Sequence, residues 1–229
     1  MNEIELRAIA GHPAIETRAD GKDYITGTAI VYNVRSQLLG GWFFEQIDAR
    51  ALDECDMSNV CGLFNHDDDT ILGRTQSGTL ELIKRDTQLD YAIPVDTNDP
   101  DHVRVVAKIR RGDVRGSSFA FMVAPGGADW DTDPTTGAEV RTVKKIAILA
   151  DVSPVVNPAY LQTTAGMGKR SLDAVKAEHD QFIAEHRSQT PPATEGGETT
   201  IENQESPNAD DVSQSVAAEH DRLAMELDL

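Results

Sequence analysis

Gly116-Ser117-Ser118-Phe119-Ala120-Phe121 is the stretch on which the fold turns. It mimics the Gly-x-Ser-x-Gly elbow, in which a strand precedes the serine and a helix follows it. Here the order is reversed. Asn98-Asp99-Pro100 supplies a capping side chain and a first-turn proline, and Val103, Val106 and Ile109 continue a helical spacing up to Gly112. Ser118 to Val123 then reads as a strand anchored by Phe119 and Phe121. The elbow reading is therefore excluded, and Ser118 is expected at a sheet rim, at the start of its strand.

Working outward, residues 1–165 read as a β-rich body. Thr26–Tyr32 and Val60–Phe64 have buried-strand patterns, whereas Gly78–Lys84 and Leu89–Ile93 alternate. Val140 to Leu149 forms a further strand, and the Gly-, Asp-, Pro- and Thr-rich loop Pro125–Gly137 looks like a hairpin tip. A second helix is expected over Ala49–Cys55. The class is α+β, mainly β.

After Arg170 the composition changes. Residues 171–229 carry 14 acidic and 3 basic side chains, against 25 and 18 in the first 170, so the net charge of −18 is concentrated in the tail. The expected division is a body at 1–165 and an acidic tail at 166–229. The tail holds two amphipathic helices, about 171–187 and 212–227, joined by a disordered linker over 188–211, where hydrophobes are almost absent. Such a charge balance argues against nucleic acid as a partner, because affinity for it comes mainly from Lys and Arg on phosphates. No apolar run approaches the roughly 20 residues of a membrane span. The N-terminus lacks the basic and apolar regions of an export signal, so Cys55 and Cys61 are expected as reduced, packed thiols in a cytosolic protein.

Two further segments carry chemistry: Leu63-Phe64-Asn65-His66-Asp67 and Leu149-Ala150-Asp151-Val152-Ser153-Pro154-Val155. A serine needs a neighbouring base, and imidazole titrates near neutral pH. His66 is the best base in the body, Ser118 the nucleophile and Asp151 the group that would accept the other ring N–H. Ser117 stands as a backup nucleophile. The chain order His, Ser, Asp differs from those of chymotrypsin, subtilisin and the α/β-hydrolases. A metal loop at His66 with Asp67–Asp69 is the weaker alternative, because three adjacent carboxylates cannot all face one ion without a specially shaped loop. No cofactor and no metal are expected.

With these residues in view, the chain resembles the prohead (procapsid maturation) serine protease family of tailed bacteriophages. The matching pieces are Gly27–Asn33, Phe44–Ile47, Leu63–Asp67, Ile71–Thr75, Ser77–Leu80, Ile109–Asp113, Gly116–Phe121, Asp151–Val155 and Asn157–Tyr160. The resemblance implies a herpesvirus-assemblin-like fold, a compact β-barrel ringed by helices. It implies a serine endopeptidase that cleaves scaffold, or the scaffold-like segment of the major capsid protein, and itself. Its place would be inside the assembling procapsid, in the host cytoplasm, and assemblin-like enzymes suggest a homodimer. The family's base falls on His66, its nucleophile on Ser118 and its third member on Asp151, where assemblins use a second histidine. Ala120 departs from a common glycine. Backbone N–H groups, helped by Arg115 or Arg141, are expected to hold the oxyanion. The alternative is an inactive protease-like module that binds scaffold or capsid, with the amphipathic tail helices as its docking elements.

Overall fold

The computed structural model describes residues 3–10, 12–158 and 169–187. Among them, twelve strands and two helices follow in chain order. The strands are β1 (Glu5–Ala10), β2 (Ala14–Thr17), β3 (Asp23–Val31), β4 (Phe43–Ile47), β5 (Cys61–Phe64), β6 (Asp67–Arg74), β7 (Glu81–Lys84) and β8 (Gln88–Pro94). Helix α1 (Pro100–Arg110) precedes β9 (Gly116–Val123), β10 (Ala128–Thr132), β11 (Glu139–Val143) and β12 (Ile146–Val155), and α2 (Lys169–Arg187) ends the series. Neither helix is long and apolar enough to cross a membrane.

The expected closed barrel is not what forms. The strands make three open sheets, ordered β1-β9-β12-β5-β6, β2-β3-β8-β7 and β10-β11-β4. The physical reason lies between β3 and β9, which meet through side chains rather than by a backbone ladder. Tyr91 on β8 lies across its cross-strand partner Gly27, where an added Cβ would come within 2.4 Å of the phenol oxygen. The Tyr91 hydroxyl then meets Ser117 Oγ on β9 at 3.0 Å. Two stacked sheets enclose Ile25, Ile30, Leu89, Ile93, Phe119, Phe121 and Val152, all buried in one core.

Local chemistry explains where the sequence reading and the fold part company. Over 49–55 there are turns, not a helix. Ala51 O, which a helix would offer to residue 55, accepts from Ile146 N–H instead, and Cys55 N–H turns to Leu52 O. The predicted hairpin loop 125–137 contains β10, pinned by Trp130 against Phe43, with one turn at Pro125–Gly126 before it and another at Asp133–Gly137 after it. The single strand read over 140–149 is split because both Lys144 and Lys145 N–H groups donate to Gly127 O. Helix α1 starts as expected, with Asp99 capping Asp101 N–H at 2.8 Å. Its buried face is rotated, however: His102, Val105, Val106 and Ile109 point inward while Val103 is exposed. Helix α2 covers the predicted 171–187 segment and packs Val175 onto Phe43 and Trp130. The 165/166 boundary, the 188–211 linker and the 212–227 helix lie outside the described residues.

A buried ion network joins three of these layers. Arg141 on β11 is fully buried and bonds Glu5 on β1 at 2.7 Å, Glu45 on β4 at 2.8 Å and Glu178 on α2 at 2.7 Å. Arg7 on β1 adds bonds to Glu5 at 2.6 Å and to Glu45 at 2.5 and 2.8 Å. Burial alone would push the Glu45 carboxyl up, but Arg7 and Arg141 hold it below its ordinary value. The sign follows from linkage: a depressed folded-state value gives stability that is present above pH 4.5, the unperturbed value, and lost as pH falls through the folded one. Wild-type protein should therefore be more stable than Glu45→Gln at pH 7, with the gap narrowing steadily below about pH 4.5. Thermal melts of both proteins across pH 7 to 2 check this, and a gap independent of pH would refute it.

Candidate active site

His66 comes from a strained turn. Phe64 pairs with Asp67 across the β5–β6 hairpin, leaving Asn65 and His66 at its tip with φ of +56° and +58°. Positive φ at both central residues is the requirement of a type I′ turn, which favours Asn followed by Gly. Asn65 suits its place. His66 stands where glycine is preferred, at a cost of order 1–2 kcal/mol. The turn is tied to the end of β12 from both sides: Asn65 N–H donates to Pro154 O at 3.1 Å, and Val156 N–H donates to Asn65 Oδ1 at 2.9 Å.

Ser118 lies inside β9, not at its rim, and β9 is itself flanked by β1 and β12. Strand alternation sends Ser117, Phe119 and Phe121 to one face and Ser118 to the other. Ser117 is fully buried with its hydroxyl at Tyr91, so the two serines face opposite ways. Asp151 is mid-strand in β12, where the register against β9 slips by one residue. Leu149 pairs with Phe121, but Asp151 pairs with Ala120 and Ser153 with Ser118. This bulge places Leu149 and Val152 in the core, with Asp151 and Ser153 on the face of Ser118.

These three elements bring His66, Ser118 and Asp151 together. His66 Nε2 is 2.6 Å from Ser118 Oγ, and Nδ1 is 2.7 Å from Asp151 Oδ1. A carboxylate facing Nδ1 fixes the proton there and leaves Nε2 of the neutral ring as an acceptor for the serine. Ser118 Oγ also donates to Arg7 O at 2.9 Å, so one hydroxyl proton faces two acceptors. The serine is only 4% exposed. Ser153, which the sequence reading passed over as a site residue, donates to Asp151 Oδ1 at 2.8 Å. Its signal was available: residues two apart on a strand share a face.

Other candidates are accounted for elsewhere. Arg141 is committed to three glutamates and is not a free oxyanion donor, while Arg115 is exposed just before β9. Asp67, Asp68 and Asp69 open β6 rather than form a loop, with Asp67 accepting from Asp69 N–H and from Thr70 Oγ1. Among the described residues no three His, Cys, Asp or Glu side chains converge as a metal site would require. Buried His102 accepts from Asp96 N–H, and His179 packs at a steep angle against the stacked rings of Trp42 and Trp130. Both cysteines are free thiols, and burial pushes the Cys55 thiol up to about 11. An open cleft of about 400 Å³ runs beside Asp151, between Leu63, Asp68, Ile148 and Ala150.

A serine, an imidazole and a carboxylate in this order of contacts have the geometry of a triad hydrolase. The sequence profile of the caudovirus prohead serine proteases matches residues 13–178, and the chain belongs to that family. A search of curated proteins finds no match. Among solved structures, the bacteriophage T4 capsid assembly protease gp21 is similar over 66% of this chain and 99% of that one, with 15% identity and a TM-score of 0.40.

The turn geometry carries its own prediction. Asn65→Ala should lower stability by about 1–3 kcal/mol, through positive φ and the lost bond to Val156 N–H. Asn65→Gly restores the φ but not the bond, so it should recover only part of the loss. Denaturant melts of the two variants separate the terms; equal losses would mean that the φ of residue 65 carries no strain.

Proposed function

We propose that this chain is a serine endopeptidase of phage procapsid maturation that cleaves scaffold, or the scaffold-like segment of the major capsid protein, and also itself. The observation that carries this reading is the unbroken run of short contacts from Ser118 through His66 to Asp151. Membership of the prohead serine protease family supports a procapsid protein as the substrate. It also supports a location inside the assembling shell, within the host cytoplasm. The His-before-Ser order supports kinship with the herpesvirus assemblins and a homodimer like theirs, with Asp151 standing where they use a second histidine.

In the mechanism, Ser118 Oγ attacks the scissile carbonyl carbon while His66 Nε2 takes the hydroxyl proton. Nδ1–H stays bonded to Asp151, which orients the ring and stabilises the imidazolium. His66 then delivers the proton to the leaving amine, and water repeats the sequence to free the acyl group. A low-dielectric setting strengthens each of these contacts, and Ser118 and Asp151 are both buried. Ser117 takes no part, because its hydroxyl points into the core toward Tyr91.

Co-expression with the capsid protein encoded beside it, followed by intact-mass measurement, tests the reading. Wild type should cleave the capsid protein. Ser118→Ala and His66→Asn should each lose at least about a thousandfold in cleavage rate, and Asp151→Asn about as much. Ser117→Ala should keep most activity unless its lost bond to Tyr91 lowers stability, which a melt reveals. Cleavage that persists in Ser118→Ala removes Ser118 from its role. Absence of cleavage even in wild type favours the inactive scaffold-binding alternative.

A further inference from the structure

We infer that Ser153 is a positioning residue that locks the carboxylate of Asp151 for His66; the inference rests on the triad reading above. Ser153 is fully buried and sits two residues beyond Asp151 on β12, directly across the ladder from Ser118. Its Oγ donates to Asp151 Oδ1 at 2.8 Å, the same oxygen that receives His66 Nδ1–H at 2.7 Å. The third side of this triangle, Ser153 Oγ to His66 Nδ1, is 3.3 Å.

The direction of the hydroxyl matters. A buried serine must place its proton somewhere, and in a strand a backbone carbonyl is the common acceptor. Ser153 gives its proton to a carboxylate instead, a charge-assisted bond about twice as strong as a neutral one. With His66 as its only donor, Asp151 Oδ1 could swing about the side-chain torsion toward the adjoining cleft. Two donors converging on one oxygen remove that freedom. The Ser153 lone pairs meanwhile face the ring N–H, so the imidazole is met by an acceptor if it tips off Asp151.

The one-residue slip in β12 gives this placement its logic. It turns Asp151 and Ser153 together onto the face of Ser118, so the acceptor of the imidazole proton and its support arrive as a unit. Pro154 follows at once, and its carbonyl receives Asn65 N–H from the turn that presents His66. Ser153 is thus bracketed by the two groups whose relative position it sets.

The test uses an alkyl fluorophosphonate probe, which reports an activated serine without knowledge of the substrate. Its labelling rate is followed from pH 5 to 9 on the full chain, with peptide mapping of the labelled site. Wild type should label at Ser118 and Ser118→Ala should not; label elsewhere, or none in wild type, overturns the triad reading and this inference with it. Ser153→Ala should label about tenfold more slowly at neutral pH, with the pH midpoint moved lower, because a loose carboxylate stabilises the imidazolium less. A merely structural loss would scale the rate equally at every pH and leave the midpoint in place. In an Asp151→Ala background, Ser153→Ala should cause no further loss. If Ser153→Ala fails to fold, Ser153→Cys, similar in shape but a weaker donor, gives the same comparison. A wild-type rate and midpoint in the Ser153 variant, or an equal loss with and without Asp151, overturns the inference while a silent Ser118→Ala leaves the triad standing.

Discussion

The site depends on one constraint of strand geometry: side chains alternate, so residues an even number apart share a face. On β12, Leu149 and Val152 are both core residues, although three positions separate them. Asp151 lies two positions from Leu149 yet must face the opposite way. A regular strand cannot satisfy both demands. The extra residue between Leu149 and Asp151 resolves the conflict by shifting the phase once, at the price of a locally broken ladder. Leu149 on one side of the slip and Val152 on the other both stay in the core, while Asp151 and Ser153 turn to the face of Ser118. The hairpin tip shows a similar compromise, in which His66 takes a backbone conformation better suited to glycine.

The ion network plays a different part. Replacing buried ion pairs by well-packed apolar groups is often neutral or stabilising, so such a network is weak evidence of stability as such. What it supplies here is register. Two forked guanidiniums and three carboxylates fit in few arrangements, and together they fix β1 against β4, β11 and α2. The position of β1 in turn sets Arg7 O, the second acceptor facing the Ser118 hydroxyl. The guanidinium carbon of Arg7 also lies over the Phe121 ring, 5.6 Å from its centroid, which joins the network to the apolar core.

Much of the site could be read in the sequence because its members sit beside apolar anchors. Phe64 precedes the His66 turn, Phe119 follows Ser118, and Val152 follows Asp151. Alternation also distinguishes Ser118 from Ser117 once the strand is recognised. The phase slip at Ala150 leaves no such mark, since nothing about an alanine announces an extra residue. Strand β10 was hidden because its apolar content is Ala128 and Trp130 among Asp and Thr, and its stability comes from Trp130 packing on distant Phe43. The turns at 49–55 were misread for a related reason: Ala51 O bonds to residue 146, far along the chain. Local propensity cannot see such partners. The sheet arrangement was least legible, because whether strands close or stack depends on side chains such as Tyr91 that span layers.

Helix α2 gives position along the chain an unexpected weight. It contributes Glu178 to Arg141 and Val175 to the cover over Phe43 and Trp130, so part of the folded body is built from residues beyond 168. A break in the backbone after Arg187 would leave every one of these contacts in place. A break before Lys169 would turn the helix into a separate ligand, held by non-covalent contacts alone and lost on dilution. Arg141 would then keep only Glu5 and Glu45 of its three carboxylate partners. The same hydrolytic event, moved by some twenty residues, is in one case a trimming and in the other the start of the fold's own disassembly.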